Sequence, residues 1–100
     1  MDVNEDPVVR ELRDRITEND RVILEAVSRR VALVAELKAH KLARGYDLVD
    51  RSREGWLLDH LAAANRGPLS DEGLHEFVTT LIELTKRELA ITRGPRASTC

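Results

Sequence analysis

Apolar residues along the first half of the chain recur at a spacing of three and four. Leu12, Ile16, Ile23, Val27, Val34 and Leu37 keep one register, with no Gly or Pro between Pro7 and Gly45. That period predicts a single amphipathic helix over about 7 to 43. Its start is marked by Asp6 as N-cap and Pro7 at the first helical position, where a missing N–H does no harm. Gly45 is a natural stop. Two further segments carry the same period. One runs over about 51 to 65 behind Asp50, with Trp56, Leu57 and Leu61 facing inward. The other runs over about 71 to 92 behind Ser70, with Leu74, Phe77 or Val78, Leu81, Thr85 and Leu89 on its stripe. "GYDLVD" and "NRGPLSDEG" are the loops between them, and no segment alternates as a strand would.

The first helix is too long for a compact monomer. Thirty-seven residues at about 1.5 Å each make a rod of roughly 55 Å. A 100-residue globule has a radius of gyration of only about 13 Å. Two shorter helices would leave much of its apolar stripe wet, so the pattern predicts an all-α fold of three helices per chain, intertwined as a homodimeric bundle. Residues 1–93 form the domain in this reading, and 94–100, "GPRASTC", a flexible tail.

Composition narrows the chemistry. Charged residues make up 34% and aromatics 3%, so the core is aliphatic. The net charge of −2 argues against a general affinity for nucleic acid or anionic membrane. No apolar run is long enough to span a bilayer, and the N-terminus lacks the pattern of a signal peptide. The one cysteine, Cys100, leaves no internal disulfide, which suits the cytoplasm. His40, His60 and His75 are scattered without ligand spacing and read as surface residues; no metal site is expected.

Polar residues interrupt the long stripe. Arg30 and Lys41 share the register of Val27, Val34 and Leu37. A single cation there would be explained by a stem lying on apolar surface with its head in water. Two invite a bound anion, because buried charges without partners are expensive. Asp50, Arg53 and Glu54 cluster at the start of the second helix, and Thr85 interrupts the third. Singly, Asp50 is a cap, Glu54 suits the helix dipole, Arg53 is a solvent charge and Thr85 bonds the preceding turn. Together they form a set of cations and two carboxylates with no nucleophile and no Gly-rich phosphate loop.

The stretches "LRDRITENDRVILEAVSRRVALVAELKAHK", "LVDRSRE" and "LIELTKREL" resemble the all-helical (type II) chorismate mutases over about residues 9 to 90, and the short actinobacterial-like branch in particular. Arg13, Arg30, Lys41, Asp50, Arg53 and Glu54 each fall where that family carries a functional residue. The resemblance implies the pericyclic rearrangement of chorismate to prephenate, towards Phe and Tyr, without a cofactor. It implies that Arg30 and Arg13 bind the substrate carboxylates, with Arg13 contributed across the subunits. Lys41 would take a carboxylate and the ether oxygen. Asp50 and Glu54 would hold the ring hydroxyl, and Arg53 and Thr85 would assist at the ring carboxylate.

Leu89 departs from the pattern. Many relatives carry there a Gln that donates to the ether oxygen. Members of the short branch also lack it and are activated in complex with the first enzyme of the shikimate pathway. Other readings keep the fold and change the substrate: a 4-amino-4-deoxychorismate mutase, which would also use Asp50 and Glu54, or an isochorismate-pyruvate lyase, which Asp50 disfavours. A non-catalytic dimerisation module would not need Arg30 and Lys41 on its seam. A DNA-binding regulator using Arg10, Arg13, Arg15 and Arg21 is at odds with the net charge.

Overall fold

Residues 2–91 are described in the structure, a computed structural model. After a 3-10 turn at Val3–Glu5 come three helices: α1 (Pro7–Arg44), α2 (Arg51–Ala64) and α3 (Asp71–Glu88). No strand occurs among the described residues. The chain is therefore all-α, with one helix far longer than the others. The tail expected over 94–100, with Cys100, lies outside the described residues.

Each start follows from a side chain that satisfies helical N–H groups left without intrahelical partners. Asp6 accepts from the N–H of Val8 at 2.9 Å and of Val9 at 3.4 Å. Asp50 accepts from Arg53 N–H at 3.1 Å, and the Ser70 hydroxyl from Gly73 N–H at 3.0 Å.

Two helix ends use the same device. At the end of α1 the Tyr46 N–H donates to Lys41 O at 2.9 Å and the Gly45 N–H to Leu42 O at 3.3 Å, with Gly45 at φ 72°. This is the Schellman pairing, which needs a left-handed residue just past the helix. At the end of α3, Ile91 N–H donates to Lys86 O and Ala90 N–H to Arg87 O, with Ala90 at φ 54°. The third helix thus stops at Glu88, short of the expected residue 92. Ala90 takes a conformation that the sequence does not advertise, because alanine gives no left-handed signal.

The chain divides into two compact units, the first ending at Arg30 and the second beginning at Val31. In the first, Val8, Leu12, Ile16, Val22, Ile23 and Leu24 are exposed, while Val27 and Arg30 are half-buried. Arg21 is clamped between Glu18 and Glu25, and its pKa is raised, chiefly by the hydrogen bond to Glu18. Its charge is thus already matched, which weakens the reading of Arg21 as part of a nucleic-acid patch.

In the second unit α2 packs on α3. The buried residues are Leu74, Val78, Ile91 and Thr85. Val78 is 1% exposed, a burial worth about 1.5–3 kcal/mol. Phe77 is 48% exposed, so Val78 holds the inward position. Trp56, expected inside, is also exposed, and Leu57, Leu58 and Leu61 carry the half-buried side of α2.

Along the α1 part of this unit the half-buried row is Val31, Val34, Ala35, Lys38 and Lys41. Leu33 and Leu37 lie one position off it, about 100° around the helix, and are exposed. Leu37 therefore does not share the covered face with Val34, and Lys38 takes that place. Its stem supplies apolar surface, and its ammonium finds a carbonyl.

Candidate functional site

The second unit brings together the end of α1, the loop at 45–50, the start of α2 and the end of α3. Lys41 sits one turn before Gly45, half-buried, and holds the loop twice. Its carbonyl accepts the Tyr46 N–H, and its ammonium reaches Leu48 O at 3.4 Å, the outer limit for a hydrogen bond. No carboxylate lies within ion-pairing distance of it among the described residues.

The loop leads into Asp50. Its carboxylate accepts from the Ser52 hydroxyl at 2.7 Å as well as from Arg53 N–H. These two bonds, the Ser52 hydroxyl first, hold its pKa below the ordinary value, and the charge of Lys41 adds a smaller pull the same way. Lys41 and Asp50 are thus electrostatic neighbours without forming a salt bridge.

Arg53 and Glu54 point to different surroundings. Arg53 is exposed, with its guanidinium carbon 4.2 Å from the centre of the Trp56 ring. Trp56 in turn stacks on His60, with centroids 4.6 Å apart and planes at 12°. A cation over an indole face is held by the ring quadrupole, so Arg53 is oriented rather than loose. Glu54 is half-buried and meets Lys86 of α3 at 2.7 Å. Thr85, 2% exposed, donates to Leu81 O at 2.8 Å, as a threonine within a helix commonly does.

Leu89 is the C-cap of α3, not a member of its helical stripe. Its side chain is half-buried, and its carbonyl accepts from the Lys38 ammonium at 2.6 Å. Arg13 and Arg30 belong to the first unit. Arg13 is exposed and donates to the Asn4 side chain; Arg30 is half-buried on α1.

The structure thus joins Lys41, Asp50, Arg53 and Glu54 through one loop and one helix start. It also adds two cations that sequence reasoning missed, Lys38 and Lys86. Neither falls on the apolar register, and the sequence pattern assigns them no role. The available signal was their place, one residue past Leu37 and one past Thr85. Lysine at such a boundary can bury its stem and aim its head at an acceptor.

Among the described residues no group of three His, Cys, Asp or Glu gathers as a metal site would require. No helix among them is long and apolar enough to cross a membrane. Fold and cluster together define a small helical domain that presents fixed cations and carboxylates. A model of the chorismate mutase type II family matches residues 12–89, and the chain belongs to that family. No curated protein and no solved structure matches it.

Proposed function

We propose that the protein is a chorismate mutase, converting chorismate to prephenate as an intertwined homodimer. The observation that carries this reading is the half-buried ammonium of Lys41, which among the described residues bonds a neutral carbonyl, at the limit of bonding distance. A cation so placed is available to an anionic ligand, and the family match names one with two carboxylates.

In the rearrangement one ether C–O bond breaks as one C–C bond forms within a single molecule. Atoms and electrons balance without a co-reactant, so the protein's work is conformational and electrostatic. Arg30, together with Arg13 of the second copy, fixes the substrate carboxylates and selects the folded conformer in which the two reacting carbons meet. Lys41 stabilises the negative charge that grows on the ether oxygen. Asp50 and Glu54 accept from the ring hydroxyl, while Arg53 serves the ring carboxylate; Thr85 would join it only by turning its hydroxyl away from Leu81 O. Leu89 offers no side-chain donor, which leaves Lys41 as the donor to the ether oxygen. A complex with the first enzyme of the shikimate pathway would be the place to recover what that position lacks. The reaction belongs to aromatic amino acid biosynthesis in the cytoplasm.

An amine in place of the ring hydroxyl would also suit the two acceptors Asp50 and Glu54, so 4-amino-4-deoxychorismate is the second substrate to try. The test is to incubate purified protein with chorismate, aminodeoxychorismate and isochorismate separately. Substrate loss is followed by ultraviolet absorbance and the product is identified by chromatography. Prephenate from chorismate, above the uncatalysed rate, is the expected result. Turnover of isochorismate alone, or of nothing, would refute the assignment.

A further inference from the structure

The bond between Glu54 and Lys86 joins the first turn of α2 to the last turn of α3. Its length is 2.7 Å, and the two side chains are 30% and 23% exposed. Lys86 has a second carboxylate nearby on its own helix, Glu83, but at 3.9 Å and with that side chain 63% exposed. The ammonium has therefore taken the partner across the helix pair over the local one. That preference has a physical basis. A pair drawn partly out of water interacts more strongly than one in full solvent, and a short charge-assisted hydrogen bond adds direction to charge.

We infer that Lys86 is a positioning residue for Glu54: it fixes the direction of that carboxylate in the site. The inference rests on the mutase reading, in which Glu54 accepts from the ring hydroxyl. A glutamate has three side-chain torsions and, left to itself, samples many directions. With one carboxylate oxygen engaged by Lys86, the other is presented from a fixed place as an acceptor, so the site asks for a donor on the ligand ring. Lys86 follows Thr85, whose hydroxyl is committed to Leu81 O, so the backbone that carries the ammonium is itself anchored by a buried neighbour. Lys86 need not touch the substrate in order to act.

The experiment is a double-mutant cycle on the full-length protein, with kcat and KM for chorismate measured on wild type, Lys86→Met, Lys86→Arg, Glu54→Gln and Glu54→Gln/Lys86→Met. Lys86→Met keeps the stem and removes the charge; Lys86→Gln replaces it in the cycle if the methionine variant does not fold. Lys86→Met should lower kcat/KM at least about tenfold, mostly through KM, because a misdirected acceptor weakens binding of substrate and transition state alike. Lys86→Arg should restore most of the loss, since it keeps a charged donor. In the Glu54→Gln background Lys86→Met should change kcat/KM by less than about twofold, because the two residues act as one unit. A loss of the same size in that background would overturn the inference, since Lys86 would then act independently of Glu54. So would an unchanged Lys86→Met enzyme beside an active wild type. An inactive wild type would instead refute the mutase reading on which the inference stands.

Discussion

Lys38 of α1 donates a 2.6 Å hydrogen bond to the carbonyl of Leu89, the C-cap of α3. The carbonyls of a helix's last turn lack intrahelical donors and carry the negative end of the helix dipole, so a cation is the fitting partner. Lys38→Met should keep the apolar stem and lose this bond, destabilising the protein by about 1–2 kcal/mol. Urea unfolding of the two proteins measures the difference. Unchanged stability would mean that water replaces the ammonium without loss.

Ala90 occupies a left-handed conformation that glycine adopts without steric penalty. Ala90→Gly should therefore stabilise the protein, by about 1 kcal/mol, against the usual trend of glycine substitutions. The same unfolding experiment reads it. A destabilised variant would place Ala90 outside the Schellman turn.

Lys41→Ala should reduce kcat/KM by at least about a hundredfold, the scale of removing one donor to a developing oxyanion. Its stability should hold or rise, since among the described residues no carboxylate within ion-pairing distance is left behind. Steady-state kinetics and a thermal melt on the same sample test both halves. Near-normal turnover by the folded variant would remove Lys41 from the mechanism.

Asp50 is held below the ordinary carboxylate pKa by the Ser52 hydroxyl and the Arg53 N–H. A group depressed on folding stabilises the protein above its unfolded value, and that contribution disappears as pH falls through the folded value. Asp50→Asn retains a capping side chain and removes the charge. Its melting temperature should therefore lie below that of wild type near neutrality, and the gap should close below about pH 4. A gap that stays constant through this range would show that the charge of Asp50 does not contribute to stability.

The proposed dimer predicts complementation. Arg13→Ala and Lys41→Ala chains, each nearly inactive, are unfolded together and reassembled in equal amounts. Random pairing makes about half the dimers mixed, and each mixed dimer regains one of its two sites, so roughly a quarter of sites should recover. No recovery, with mixed dimers verified by mass spectrometry, would exclude Arg13 as the residue contributed by the second subunit.

Much of this was legible in the chain because helix boundaries are written locally. Asp6, Pro7, Gly45, Asp50 and Ser70 each act at the position they occupy, and the structure uses each as its chemistry suggests. The end of α3 was not legible, because Ala90 does there what glycine usually does. The division of α1 into covered and uncovered sides was also hidden. Apolar period tells which residues seek burial, but not whether their own chain supplies the cover, so Leu37 and Trp56 read as core and are exposed. Among candidate site residues, Lys41 was marked by its place on the apolar stripe, and Asp50, Arg53 and Glu54 only by clustering at one helix start. Nothing in the apolar period marks Lys38 and Lys86, because their acceptors, Leu89 O and Glu54, lie on other helices or beyond them in the chain.

The double hold of Lys41 on the loop that follows it bears on how this chain tolerates changes of length. The carbonyl of Lys41 takes Tyr46, its ammonium reaches Leu48, and two residues later Asp50 opens α2. Inserting or deleting a residue between Gly45 and Asp50 would shift the register of at least one of these contacts and move the cap of α2 with it. The entropy of closing a slightly longer loop is small; the loss would come from geometry. The connection at 65–70 is braced differently, by the Asn65 side chain reaching Leu69 O and Gly67 N–H, and it holds none of the candidate site residues. Homologous chains and engineered variants should accordingly vary in length at the second connection and hold the first constant.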